Sequence, residues 1–390
     1  MKSRAMPMPV LVALTYLLGL GIVYPFLPFQ ALSLGATPLL VSLLLVTDTA
    51  VILLLAPIWG RLSDRFGRRR VIFLGLATAP LAYLLLAYAD SLAMLFVARA
   101  VAGVSNAVIP VIQALVADRT CTNTRVRGMA NLNSAYGVAF IVGPLIGTLL
   151  LGSGDDYRSA AFGAGGFAVL AILLTATLAR GDIAPAAGRT GGVALPPRRI
   201  LASPLCLAPI AIMAVLSFAY ASMESTLGLW SSRMLAWDAR DVSLGFTLAG
   251  SAAVFALWVL IPPLCARFGE GRVTAGASAA MVAGMMLFVI WPGDLAVSAA
   301  LILLGGGIAS SLSCLQALLS KAAPDAVQGS ALGVNHAVLS LARILGPVWG
   351  GFALGSLGAG WPHASGALLA FCAFLMVVWA YRPMPRVLAG

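Results

Sequence analysis

Charge is what this sequence has least of. Asp, Glu, Lys and Arg make up 9% of its 390 residues, against roughly 25% in a soluble domain. With 61% of residues in the hydrophobic set and a mean hydropathy of +1.00, too little polar surface remains to cover a body in water. A soluble enzyme, a disordered chain and a collagen-like repeat are excluded. Histidine occurs twice, and no HExxH, P-loop or GxSxG pattern is present, so metalloprotease, nucleotide-hydrolysing and serine-hydrolase chemistries lack their residues. The five cysteines form no CxxC or Cys/His metal spacing. Cys206, Cys265, Cys314 and Cys372 lie in or beside apolar stretches, where a thiol is small apolar filler, and Cys121 sits in a basic loop. No cofactor, no metal site and no enzyme activity is expected.

Long apolar runs are what the chain does have. A bilayer admits only helices or closed barrels, and the alternating segments of about ten residues that build a barrel are missing. The expected fold is an all-α polytopic membrane protein. Runs of about 20 apolar residues fall near 8–32, 39–60, 71–89, 92–117, 130–151, 160–179, 205–227, 243–264, 273–291, 296–319, 329–352 and 364–381. The first run follows Lys2 and Arg4 but is too long for a signal peptide and contains Pro25 and Pro28, so it reads as an uncleaved span.

The net charge of +11 is a record of insertion rather than a nucleic-acid footprint. With both termini cytoplasmic, 19 of the 24 Lys and Arg residues fall on that side, Arg158, Arg233 and Arg240 fall opposite, and Arg99 and Arg343 lie within spans. This is the asymmetry that sets orientation. Offset by about 203 residues, the chain matches itself: Gly143-Pro144 meets Gly346-Pro347 and Gly147 meets Gly350, while at 202 Arg65-Phe66-Gly67 meets Arg267-Phe268-Gly269. Two six-helix bundles of like orientation, 1–180 and 205–390, are expected about a pseudo-two-fold axis, joined by a Pro/Gly-rich cytoplasmic linker at 181–204.

Residues 60–70 read Gly-Arg-Leu-Ser-Asp-Arg-Phe-Gly-Arg-Arg-Arg. Gly60 and Gly67 give backbone freedom for a short reversal between spans 2 and 3. Asp64 is the one acid among Arg61, Arg65, Arg68, Arg69 and Arg70, able to pair with an arginine or with a facing helix end. Contacts that form in one state and break in another make this stretch a candidate latch, carried by Gly60, Asp64, Arg65, Gly67, Arg68 and Arg69.

This pattern, G-x-L-x-D-R-x-G-R-R, resembles the signature loop of the major facilitator superfamily, with a degenerate copy at Arg267–Glu270. Arg99, Gly103, Ser105 and Ala107 resemble its span-4 arginine motif. Gly137, Gly143, Pro144 and Gly147 resemble the span-5 motif associated with antiporters, and Pro25-Phe26-Leu27-Pro28 resembles the first span of twelve-span drug:proton antiporters. The resemblance covers essentially the whole chain. It implies the major facilitator fold and export by alternating access in exchange for protons.

Four ionisable residues fall within spans: Asp48, Arg99, Glu224 and Arg343. Each costs at least about 2.5–3.5 kcal/mol at the bilayer centre, so each is expected to face a cavity or a partner. A carboxyl in such surroundings can take up and release a proton as those surroundings change. Glu224 and Asp48 are the candidate coupling acids. Glu224 lies in a stretch that resembles the seventh span of drug:proton antiporters, where an acid is common. Arg99 cannot carry a proton itself, but the resemblance implicates it in coupling. Arg343 has no counterpart in the first half, where Phe140 stands. It is read as a partner of a cavity acid or of an anionic substrate, or as a snorkelling side chain. His336 is a further possible proton site, set against a structural histidine.

Candidate cavity residues are Tyr24, Asn106, Gln113, Tyr136, Tyr220, Met223, Gln316, Asn335 and Arg343. An apolar cavity with few polar points suits small lipophilic, drug-like molecules. The alternatives are an exporter of sugars or other metabolites and a non-transporting sensor or scaffold. The expected partners are a small-molecule substrate, protons and the lipid bilayer. The chain is expected to be monomeric, with both termini cytoplasmic. Its compactness points to a bacterial inner membrane.

Overall fold

The computed structural model describes residues 7–120, 122–151, 157–177, 203–323 and 328–381. Among them, twelve helical segments are long and apolar enough to cross a membrane. Spans 1–6 are Met8–Ser33, Pro38–Phe66, Arg68–Ala87, Leu92–Asp118, Ser134–Leu151 and Tyr157–Thr177. Spans 7–12 are Pro204–Met234, Ala239–Phe268, Glu270–Ile290, Asp294–Ala322, Ala331–Ser356 and Trp361–Ala380. Their number and order are those expected. The linker expected over 181–204 lies, but for its last two residues, outside the described residues, as does Cys121.

Proline places the irregularities. Helix breaks fall at Tyr24–Phe26, Ala77–Thr78 and Ala107–Val108, each followed within two residues by Pro28, Pro80 or Pro110. A proline lacks the donor that would continue the ladder and disfavours helix at the preceding residue. Span 8 carries a π-helical turn at Ala256–Leu260, just before Pro262-Pro263.

The reversal between spans 2 and 3 is tighter than the sequence suggests. Span 2 runs on to Phe66 and span 3 starts at Arg68, leaving Gly67 alone outside helix at φ +91°. Gly269 repeats the device at φ +79° between spans 8 and 9. Both backbones lie where a Cβ is strained, which accounts for glycine at both ends of the repeat. Gly60 is a correction: it sits inside the helix with nothing within 4 Å of where a Cβ would stand. Nothing in 60–66 stops the helix, so the turn draws on Gly67 alone.

By contact the chain divides into two units. The first holds spans 1–6 with the segment Leu227–Gly250. In it, spans 1 and 5 touch backbone to backbone. A Cβ on Gly143 would come 2.8 Å from the Gly21 Cα, and one on Gly147 2.8 Å from the Ile22 carbonyl oxygen. Gly143 and Gly147 therefore serve the packing of span 5 on span 1 of their own half. Span 5 meets span 8 at Phe140 and Ile141, where Thr247 donates to the Ile141 carbonyl at 3.2 Å. Spans 2 and 4 meet at Gly103, where a Cβ would stand 2.9 Å from the Asp48 carbonyl oxygen.

The second unit holds the rest of spans 7 and 8 with spans 9–12. Gly346 and Gly350 press span 11 onto span 7: each Cβ would lie 2.6 Å from a carbonyl oxygen, of Phe218 and of Ser222. The Gly-Pro-x-x-Gly device thus does the same work in both halves, holding the fifth helix of a bundle against its first. Small residues permit that approach where lipid supplies no hydrophobic drive.

Candidate functional site

Three groups of charged residues have a definite geometry. The first is at the turn between spans 2 and 3. Arg68 Nη1 lies 2.6 Å from Asp64 Oδ1 and donates to Ser63 Oγ at 2.5 Å, and Arg68 Nε donates to Asp118 Oδ2 at 3.1 Å. One guanidinium therefore bridges the end of span 2 to the end of span 4. Arg69 turns the other way and donates to the Thr175 and Ala176 carbonyls, capping the end of span 6. Arg65 lies over the ring of its neighbour Phe66. Of the six proposed latch residues, the structure brings Asp64 and Arg68 together, turns Arg65 and Arg69 to other partners, and leaves open space where a Cβ on Gly60 or Gly67 would stand. Asp118 is a partner that sequence reading missed. An acid in the last turn of an apolar span looks like an ordinary loop charge unless the span end is known.

The second group is buried among spans 1, 2 and 4. Asp48 and Arg99 are 7% and 3% exposed, with Arg99 Nη2 2.8 Å from Asp48 Oδ2. The contact is an ion pair rather than an aligned hydrogen bond, since Arg99 Nε and Nη2 reach no well-directed acceptor among the described residues. Asn106 Nδ2 donates to the same carboxylate oxygen at 3.1 Å, and the Thr49 backbone N–H donates to Oδ1 at 2.8 Å. Behind Asn106 stands Tyr16, whose hydroxyl lies 2.5 Å from Asn106 Oδ1 and 2.9 Å from Ser105 Oγ. The Ser105 proton goes to the Ala102 carbonyl. Charge at Asp48 is thus met from three sides. Tyr16 was also missed: in a run such as Leu-Thr-Tyr-Leu-Leu a tyrosine reads as apolar lining.

The third group is in the second unit, between spans 7 and 11. Glu224, 9% exposed, has Oε2 4.0 Å from Arg343 Nη2, and the Arg343 side chain is 59% exposed. The hydroxyls beside Glu224 turn to the backbone, Ser225 and Thr226 both bonding the Ser222 carbonyl. This pair differs from Asp48–Arg99 in both respects that govern a charge: separation and access to water.

The remaining cavity candidates divide by exposure. Asn106, Met223 and Asn335 are buried; Tyr24, Gln113, Tyr136 and Tyr220 are half-buried; Gln316 is exposed. Asn106 is occupied by Asp48 and Tyr16. Of the two histidines, His363 is sealed in and stacked 4.4 Å from Phe288, whereas His336 is exposed on span 11.

The sequence matches the family model of the Major Facilitator Superfamily over residues 10–347. It is 30% identical over 346 residues to the class D tetracycline resistance protein of Salmonella ordonez, covering 85% of this chain and 84% of that one. It is 28% identical over 336 residues to multidrug resistance protein 1 of Bacillus subtilis (strain 168), covering 86% and 85%. Among solved structures, a nucleoside transporter, NupG (D323A mutant), superposes with a TM-score of 0.80 at 12% identity, over 97% of this chain and all of the other. The match extends over most of the twelve-span chain, which therefore belongs to the Major Facilitator Superfamily as an integral membrane transporter of small molecules, not an enzyme.

Proposed function

We propose that the protein exports small lipophilic, drug-like molecules by alternating access, in exchange for protons. It would act as a monomer in a bacterial inner membrane with both termini in the cytoplasm. The resistance proteins among its relatives support the export of such compounds. The 19-to-3 distribution of basic residues supports the orientation.

The contrast between the two buried carboxylates carries the coupling assignment. Asp48 is held by Arg99, Asn106 and the Thr49 N–H, so gaining a proton there gives up a short ion pair and weakens two hydrogen bonds to the carboxylate. Among the described residues Glu224 has one charged partner, Arg343, 4.0 Å away and more than half exposed. Protonating Glu224 removes its attraction for Arg343, which links proton occupancy to the relation between spans 7 and 11. Asp48 with Arg99 then acts as a fixed element of the first bundle, and Glu224 as the proton carrier.

The test is pH-gradient-driven transport in proteoliposomes with the Glu224→Gln and Asp48→Asn variants, each checked for monodispersity. The expected result is at least a tenfold loss of gradient-driven accumulation for Glu224→Gln, with a smaller loss for Asp48→Asn that follows its loss of stability. Normal accumulation by Glu224→Gln refutes the assignment.

A further inference from the structure

Arg343 is the 16th residue of the 29-residue helix Gln328–Ser356. At 1.5 Å per residue it stands about 22 Å along the helix, near the bilayer centre. Roughly 15 Å separates it from either interface, too far for an arginine to snorkel. An exposed guanidinium at that depth has to meet water.

The helix shows which side is wet. Leu341 and Leu345, 51% and 47% exposed, are each two residues from Arg343 and point about 200° away. They form the lipid side. His336 is seven residues from Arg343, two turns along the same line, and is also exposed. Span 11 therefore presents two exposed faces, one of leucine and one of His336 and Arg343, on opposite sides. In the first half the matching positions are Asn133 and Phe140, so the repeat does not require this face.

The contact with Glu224 is 4.0 Å long and leaves the Arg343 side chain 59% exposed, on the same helix line as the exposed His336. A guanidinium presents a planar fork of donors that matches an ionised oxygen group. Imidazole on the same line adds a further donor.

We infer that the His336–Arg343 face of span 11 is an anion subsite that binds an ionised oxygen, such as a carboxylate, carried on the lipophilic body of a substrate. The inference rests on the export reading and narrows it: the preferred substrates are acids and zwitterions rather than simple lipophilic cations. Arg343 then has two uses in a cycle, as the counter-charge of Glu224 and as the site of the substrate's anion.

The probes are norfloxacin, which carries a carboxylate, and its methyl ester, in which that group is capped by a methyl and uncharged. Their affinities for the purified full-length protein in detergent are measured by equilibrium dialysis at pH 7. The wild type is expected to favour the acid by about tenfold or more. Arg343→Gln should bring the ratio of the two affinities close to one, Arg343→Lys should keep part of it, and His336→Gln should reduce it several-fold. Using the ratio separates lost charge recognition from general damage, and the exposed His336 position provides a variant that does not disturb Glu224. Norfloxacin binding no tighter than its ester, or a ratio that survives Arg343→Gln, overturns the subsite. Export is read separately, as gradient-driven uptake of the ester into inverted vesicles. No uptake with the affinity ratio intact overturns the export reading alone; uptake with a ratio near one overturns the subsite alone.

Discussion

At the scale of single residues, Asp48 and Arg99 illustrate what a buried charge requires. Either one alone in the first bundle is a buried charge without its counter-charge. Removing one partner of a buried pair costs about 3–5 kcal/mol, because the other is left unpaired, whereas removing both costs much less. The Asp48→Ala and Arg99→Ala variants should each lose stability on that scale, and the double variant should lose less than the sum by at least about 1 kcal/mol. Unfolding of the purified protein by denaturing detergent measures all three; additive losses would show that the 2.8 Å contact is not an energetic pair. The sequence shows that both residues lie within spans, because charge in an apolar run is conspicuous. It does not show that they meet, since that depends on the rotation of spans 2 and 4 about their axes. It also hides Tyr16 and sets Asn106 among the cavity residues, although Asn106 faces Asp48.

At the scale of helices, the two halves use one ion pair with its signs exchanged. Arg68 at the start of span 3 bonds Asp118 at the end of span 4. Glu270 at the start of span 9 pairs with Lys321 in the last turn of span 10. The positions match at the repeat offsets of 202 and 203. Helix dipoles favour anions at N-termini and cations at C-termini by about 0.3–1 kcal/mol. Glu270 and Lys321 agree with their helices, while Arg68 and Asp118 oppose theirs. The second-half pair is therefore a plain staple. The first-half pair is held against the local field by the further contacts of Arg68 with Asp64 and Ser63, which suits a contact that opens during a cycle. Asp118→Asn should lower the melting temperature less than Glu270→Gln does, because it also relieves an unfavourable end charge, yet it should slow transport more, by several-fold. Thermal unfolding and initial transport rates of the two variants decide this, and the opposite order in both would remove the distinction. Only part of this was legible beforehand. The motif at 60–70 marked Asp64 and Arg68, but the partner of Arg68 lies fifty residues on, at a helix end that composition alone does not fix.

At the scale of the whole molecule, twelve spans in two repeats follow from the sequence because lipid leaves so few alternatives. Run length, the side on which arginine falls and the recurrence of Gly-Pro-x-x-Gly each report one constraint, and all agree. Similarity between the halves nevertheless conceals a division of labour. The acid–arginine pair of each half has no counterpart in the other: Asp48 and Arg99 match Gly250 and Ile302, and Glu224 and Arg343 match Gly21 and Phe140. One pair is short and sealed, the other long and partly wet. If the first half is the fixed partner and the second carries both proton and substrate anion, ligand should alter local opening in one and not the other. Amide hydrogen exchange reports such opening peptide by peptide. Adding norfloxacin at saturating concentration should slow exchange in peptides spanning 333–346, where the hydrogen-bond ladder is interrupted at Pro347, while leaving 99–106 at its original slow rate. Equal protection in the two regions would mean that both halves reorganise around the substrate, and the sealed pair of the first half would then have to be counted within the moving machinery.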